Sequence, residues 1–458
     1  MKSHVLFFKI SMLVSLMGCQ QKNTQTSPEP AVKLITLDPG HFHAALVQKE
    51  MYPAIDTTVS VYAPAGAELD AYMALVSQYN SRTDNPTHWA EKVYTGPDFL
   101  DKMLAEKKGN VVVLSGNNQQ KTEYIVKSIE AGLNVLGDKP MAINTANFAA
   151  LQQAFDKAGS KGLLLYDIMT ERSEITNLLQ QELVHMPDLF GTLETGTVQE
   201  PTIVMESVHF FYKYVSGKVL KRPSWFFDPA QQGDAITDVG THLIDLVQWE
   251  AFPGQALDYK KDITIQSSKI WPTDVSLSQF KLITGSDSFP SYLKDMVKTD
   301  SILQTHGNGE INYTLKNIHA KIIARWDYQA LTGGDTHYSL FKGTKASVEI
   351  KQGKEENYLA TLYIKPNSIK DTAAFSSAMQ NAVDVLNKTH AGITAEKSGH
   401  GWKLVIPQTF KVGHEAHFAQ VMQRYLQYLN DKKLPDWEVP NMLAKYYTST
   451  KALEMATK

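Results

Sequence analysis

Between residues 33 and 166, short apolar runs alternate with helical stretches, and this alternation constrains the fold more than any other feature of the chain. The runs at 33–37, 57–62, 110–114, 134–136 and 162–166 each suit a short strand buried on both faces, with Val111-Val112-Val113-Leu114 the clearest. Between them the spacing predicts helices over 68–78, 99–107, 121–131 and 145–158, with Gly132 placed to close the third. Strand and helix alternating at this interval imply a doubly wound parallel sheet, because a parallel neighbour needs a crossover helix. Right-handed crossovers gather the strand-end turns along one edge, where such sheets bind their ligands. Those turns are residues 38–43, 62–66, 115–118 and 137–140.

Beyond Tyr166 the texture changes. A helix over 171–183 and an extended stretch over 193–208 precede a helix expected over 236–249. Past Gly254, longer alternating runs at 311–315, 319–326, 337–341 and 346–351 predict a second sheet, mostly antiparallel, with one exposed face. Turns are expected at Asn308-Gly309 and Gly333-Gly334. Polar residues 366–396 read as an insertion, and helices are expected over 413–430 and 439–455. The class is α/β: an N-terminal doubly wound parallel sheet plus a C-terminal α+β domain with a large, mostly antiparallel sheet.

The chain has 458 residues, enough for two or three domains, and its 43% hydrophobic and 20% charged content is that of an ordinary globular protein. A formal net charge of -3 gives no reason to expect nucleic acid as a partner. Residues 1–18 read as a targeting segment, with Lys2 and Lys9 beside a short apolar run that is too interrupted for a membrane span. The run ends in Leu16-Met17-Gly18-Cys19, similar to a bacterial lipobox, with the only cysteine where lipidation requires it. The expectation is therefore an exported protein, lipid-anchored at Cys19 to a bacterial membrane and facing the periplasm or cell surface. Residues 19–31, rich in Gln, Thr, Ser and Pro, read as a flexible tether.

The helix over 236–249 carries the most pointed chemistry. Asp238, His242, Asp245 and Trp249 would share one face, opposite Val239, Leu243, Leu246 and Val247. A proton-transfer group and two carboxylates on an otherwise apolar helix mark a candidate site. Arg172, His209, Trp225 and His337 are candidates for lining a ligand pocket, with weaker claims for Glu171, Lys213, Arg222 and Asp335. No metal is expected, since His414-Glu415-Ala416-His417 lacks the i, i+4 histidine spacing of a zinc helix. A set drawn from His209, His242, His337 and Asp238 is the remote alternative.

Three segments carry a family resemblance. Residues 131–140, Ala-Gly-Leu-Asn-Val-Leu-Gly-Asp-Lys-Pro, resemble the AGxxVxxEKP segment of the Gfo/Idh/MocA oxidoreductases, with Asp138 for Glu. Residues 233–249 resemble that family's GGxxxDxGxHxxDxxxW segment, and residues 341–346 its substrate-domain strand turn. The resemblance implies a Rossmann-like dinucleotide-binding domain over 32–166, a substrate domain over 167–410 and C-terminal helices over 411–458. It further implies NAD or NADP as cofactor, a carbohydrate as substrate, and pairing into a homo-oligomer. Lys139 would polarise the reacting hydroxyl, His242 would be the general acid/base, and Asp238 would orient substrate or imidazole. Asp245 would be structural, pairing with backbone or an arginine. Gly40, His41, Phe42, Ser115, Asn117, Asp138 and Lys139 would meet the cofactor.

The cofactor end departs from the family pattern. The three glycine positions of the phosphate turn read Asp38, Gly40 and His43, and Ala63-Pro64 stands where an acid usually holds the ribose. His41 and His43 can donate to phosphate instead. The departure implies a dinucleotide held unusually, retained tightly, or lost. Three readings follow: a sugar oxidoreductase; an NAD-dependent glycosidase working by transient oxidation and elimination; or a non-catalytic carbohydrate-binding lipoprotein on an eroded dinucleotide fold.

Overall fold

The computed structural model describes residues 32–215, 218–299, 301–330, 334–368 and 372–458. The leader, the tether with Cys19, and Gly333 of the expected turn lie outside these residues.

The first domain is a parallel sheet of six strands: β1 (Leu34–Leu37), β2 (Thr58–Tyr62), β3 (Ala90–Tyr94), β4 (Val111–Leu114), β5 (Asn134–Asp138) and β6 (Leu165–Ile168). Their spatial order is β3-β2-β1-β4-β5-β6, so the winding reverses between β1 and β4. The crevice at that reversal opens beyond the strand ends, between the turns after β1 and β4. β1 and β4 are buried at every position, as their unbroken apolar runs require. β3 is the strand the sequence conceals. It is an edge strand paired only with β2, and its Ala-Glu-Lys-Val-Tyr has no buried residue.

The second domain is a ten-stranded, mostly antiparallel sheet. At its centre β7 (Ile203–Tyr212) runs parallel to Ile318–Gln329 on one side and antiparallel to Thr336–Lys342 on the other. The turn expected at Asn308-Gly309 is absent: both residues lie inside the strand Ile302–Leu315. Gly309 is there because Ile236 packs onto it, and a side chain at that point would collide with Ile236. The actual hairpin joins Leu315 to Ile318 through Lys316 and Asn317, both at positive φ, which suits a two-residue turn.

The helix Val239–Ala251 begins later than expected, because Asp238 (φ −84°, ψ −83°) lies outside helical geometry. Leu243, Ile244, Leu246 and Val247 bury its apolar face in the core beneath the second sheet. Residues 366–396, expected as an insertion, supply Met379, Ala382, Val383, Leu386 and Ile393 to that same core. The last helix, Glu438–Ala456, belongs to both domains: Met442 and Tyr446 enter the first core, Ala444 and Ala452 the second.

A buried ion network ties this joint. Asp245 accepts from Arg172 at 2.6 and 2.7 Å and from Lys445 at 2.8 Å. Arg172 also reaches Glu438 at 3.1 Å, and Lys445 reaches Asp167 at 2.7 Å. The network joins the end of β6 to the helix Val239–Ala251 and to the last helix, and so fixes the angle between the two halves of the site.

Candidate active site

A cavity of about 970 Å³ lies between the strand-end turns of the first sheet and the near face of the second domain. That volume is at the upper end of the range for small-molecule sites. His41, Phe42, Asp138, Lys139, Asp238, His242, His209 and His337 line it, so the structure brings most of the expected residues together.

Lys139 follows directly on β5, and its ammonium meets Asp238 Oδ1 at 2.6 Å. Burial disfavours the Asp238 carboxylate, but the charge and hydrogen bond of Lys139 outweigh it and hold its carboxyl below the usual range. His242 stands one turn further along the helix. Neither ring nitrogen has a hydrogen-bond partner among the described residues, and Nδ1 is buried. Burial, reinforced by the Lys139 charge, pushes its pKa well below 6.5, so the imidazole is neutral. A fixed cation beside a neutral, uncommitted base suits proton removal from a hydroxyl group.

The phosphate turn is built differently from the expectation that its histidines donate to a ligand. His43 Nδ1 lies 3.0 Å from Asp138 Oδ2, which also accepts from Ser115 Oγ at 2.9 Å. His41 Nδ1 is 3.7 Å from the same oxygen. Ligand-type atoms of His41, His43 and Asp138 all lie within 4.8 Å of one another, a spacing compatible with a shared cation. Burial works against Asp138, but His43 and Lys121 hold its carboxyl well below the usual range. His414, from the start of the helix His414–Asp431, places its ring 5.3 Å from that of His43. Burial and the neighbouring His43 push His414 down to about 3.

The remaining expectations divide. Ser115 and Asn117 turn inward: Ser115 holds Asp138, while Asn117 caps the following helix and bonds to Gln231 at 2.8 Å. Gly40 packs against Glu68 and Gly116, where any side chain would collide with the Glu68 carboxylate. None of these three is among the described cavity-lining residues. Arg172 is not a ligand-binding residue: it is 3% exposed and consumed by Asp245 and Glu438. Trp225 is not a stacking platform: it is buried, with its indole N–H bonded to Glu68 Oε1 at 2.5 Å. Phe226, next in the chain, lines the cavity instead.

On the opposite wall the pairing of β7 with Thr336–Lys342 sets His337 against Ser207, whose hydroxyl lies 2.8 Å from His337 Nδ1. Asp335 joins His209 at 3.0 Å and Lys213 at 2.8 Å. Burial opposes ionisation of Asp335, but both partners hold its carboxyl far below the usual range. Burial lowers His337 to about 4. Glu171 also lines the cavity, and burial together with Glu174 pushes its carboxyl up to about 7.

A dinucleotide fits one end of this crevice better than the other. The nicotinamide end has Lys139 and the uncommitted His242, with Asn118 and Gly116 bordering the turn after β4. At the adenosine end no acid closes β2, since buried Ala63 is followed by Pro64. The carboxyls beside the phosphate turn, Asp38 and Glu68, are both raised by burial.

Comparison with known proteins places these features in context. Residues 54–166 match the family described as "Oxidoreductase family, NAD-binding Rossmann fold", and residues 179–457 match "Putative oxidoreductase C terminal domain". A crystal structure of a "putative oxidoreductase" from Parabacteroides merdae is 51% identical, with a TM-score of 0.92, over 93% of this chain and 98% of that one. An uncharacterized oxidoreductase of Schizosaccharomyces pombe is 27% identical over 172 residues, 38% of this chain; the match spans 40% of that relative's length. Levoglucosan dehydrogenase, solved with NADH and levoglucosan, shares the fold at 11% identity and a TM-score of 0.58, over 93% of this chain and 97% of that one.

Proposed function

The chain belongs to the Gfo/Idh/MocA oxidoreductase family, and from that premise we propose that it moves hydride between NAD or NADP and a hydroxyl-bearing carbon of a carbohydrate. The observation that carries this reading is the Lys139–Asp238 pair, 2.6 Å long, in the same wall as a neutral His242 with no hydrogen-bond partner among the described residues. Lys139 donates to the substrate oxygen and stabilises the negative charge that grows there. Asp238 holds the ammonium in place. His242 accepts the hydroxyl proton as the neighbouring C–H bond breaks, and returns it in the reverse direction. The dinucleotide supplies the hydride acceptor, and His41, Phe42, Gly116 and Asn118 are the residues that would border it. Levoglucosan dehydrogenase in complex with NADH and levoglucosan, and a 3-ketoreductase from Actinomadura kijaniata in complex with NADP and TDP-benzene, lend support at the level of fold.

The test has two parts. Mass spectrometry of ligand released from denatured protein is expected to find NAD or NADP. A panel of sugars and glycosides is then expected to change absorbance at the reduced nicotinamide band. Protein that neither contains nor binds a dinucleotide would overturn the reading.

One observation favours a second reading, cleavage of a glycoside through transient oxidation and elimination. Glu171 keeps a proton near neutrality, its carboxyl pushed up to about 7, and so can protonate a leaving group. Release of aglycone with no net reduction of dinucleotide would select this route, and its absence would reject it.

The same proposal puts the protein outside the cytoplasm on a lipid carried by Cys19. Radiolabelled palmitate is expected to enter the wild type and not the Cys19→Ala variant.

A further inference from the structure

Arg222 is a buried cation in the cavity wall with no paired carboxylate among the described residues. Its side chain is 6% exposed, and it lines the cavity beside Lys213, His209 and Asp238. Its Nε donates to the Phe211 carbonyl at 3.2 Å and its Nη2 to the Phe210 carbonyl at 3.4 Å. Nη1 has no hydrogen-bond partner, and no carboxylate pairs with the group, among the described residues. The two carboxylates that act on it are Asp238 and Asp335, and each is already held by a lysine. The rings of Phe226 and Trp326 flank the guanidinium at 4.4 and 4.8 Å, so it is fixed in place and shielded from water.

A buried guanidinium is costly unless something pairs with it. Here the protein supplies two backbone carbonyls and two aromatic faces, and leaves the charge for something that enters the cavity. On this wall Lys213 and Arg222 face Asp335 alone, since Asp238 is engaged by Lys139. The local surplus is one positive charge, which matches a singly charged carboxylate. Guanidinium also prefers planar carboxylate geometry.

We infer that the Arg222 subsite, with Lys213 beside it, binds a carboxylate on the substrate, so that the carbohydrate taken by this cavity is a sugar acid of the uronate type. The inference rests on the oxidoreductase reading for the placement of the sugar. Asp238 links the subsite to Lys139, so an acid group at Arg222 lies on the same wall as the hydroxyl that reacts at His242.

The full-length protein, with whatever dinucleotide it retains, is titrated calorimetrically with methyl glucuronide, the matched methyl glucoside and glucose 6-phosphate. Wild type is expected to bind the glucuronide at least tenfold more tightly than the glucoside. In Arg222→Gln that ratio is expected to collapse toward one, while Arg222→Lys keeps part of it. Because Arg222 is buried, Lys213→Met provides a second, partly exposed variant, expected to lower the ratio severalfold with an unchanged melting temperature. Equal or tighter binding of the glucoside, or preference for glucose 6-phosphate, would overturn the inference. Neutral sugars oxidised and uronates refused would sink the acid subsite and leave the oxidoreductase standing. Selective, Arg222-dependent uronate binding without any turnover would do the reverse.

Discussion

Lys139 and Asp238 come from different domains and meet at 2.6 Å, so the cation at the centre of the site is set by the docking of one domain on the other. Lys139 stands at the end of a buried parallel strand, and Asp238 just before the helix that carries His242. Neither element makes the site alone.

Removing one partner separates charge from position. Lys139→Met is expected to lower kcat by about 10²–10³, the usual loss for a group that stabilises developing oxyanion charge. Asp238→Asn keeps the shape and a hydrogen-bond acceptor but loses the countercharge, and is expected to fall between wild type and Lys139→Met. Steady-state kinetics of both variants, with circular dichroism to confirm folding, decides the order. An Asp238→Asn enzyme with wild-type kcat would show that the pair is merely structural.

His242 is held neutral by burial and by Lys139, its pKa well below 6.5. As base, it is therefore expected to keep working at pH values where an ordinary histidine is protonated. The acid limb of kcat/KM should fall below the usual imidazole range. In Lys139→Met, whatever residual rate remains should show that limb moved upward, because a repelling charge is gone. His242→Ala is expected to abolish turnover and leave dinucleotide occupancy unchanged. A limb near 6.5 in wild type would contradict the neutral-base assignment.

What the sequence disclosed follows the physics of each element. The central strands were legible because burial on both faces demands unbroken apolar runs such as Val111–Leu114. Strand β3 was not, because an edge position tolerates Glu91 and Lys92. Asn308-Gly309 looked like a turn because glycine marks turns more often than close contacts, and only the fold reveals Ile236 lying against it. In the site, the motif residues Lys139, Asp238 and His242 emerged from spacing and resemblance together. Arg172 and Trp225 were misplaced for a common reason: arginine and tryptophan suit sugar pockets and buried anchors alike, and their partners Asp245, Glu438 and Glu68 are remote in sequence. The contribution of His414 was invisible, since nothing local tells that the helix it begins packs over the phosphate turn.

At that turn, Glu68 accepts the Trp225 indole N–H and sits against Gly40, where a dinucleotide's phosphates would approach. Above its raised pKa the Glu68 carboxylate repels them. Glu68→Gln retains an acceptor for Trp225 and removes the charge. The expected gain in NAD affinity is roughly 1 kcal/mol, or about fivefold, for one like charge at close range in a wet site. The gain should be largest at alkaline pH and shrink as pH falls and the wild-type carboxyl takes up a proton. Fluorescence titration of dinucleotide-stripped protein across pH measures both. Equal affinities at high pH would mean that Glu68 never meets the phosphates.

The joint itself gives the last test. Asp245 accepts from both Arg172 and Lys445 with essentially no exposure to water. Burial alone would raise its pKa, but Arg172 first and Lys445 second depress it far below the ordinary 3.8. A depressed carboxyl contributes stability that is present above its unfolded-state value and lost as pH falls through the folded one. Wild type should therefore lose this contribution only at acid pH, below about 4. Asp245→Asn leaves two buried cations sharing one fewer anion and is expected to cost about 3–5 kcal/mol. The penalty should be nearly constant from pH 6 to 8 and shrink in acid, where the wild-type carboxylate is itself neutralised. Because Asp245 lies on the same helix as His242, the variant that does fold should also lose turnover. Urea unfolding at several pH values reads the first effect and kinetics the second. A loss of less than about 1 kcal/mol, the scale of an exposed ion pair, would show that this network does not lock the two domains together.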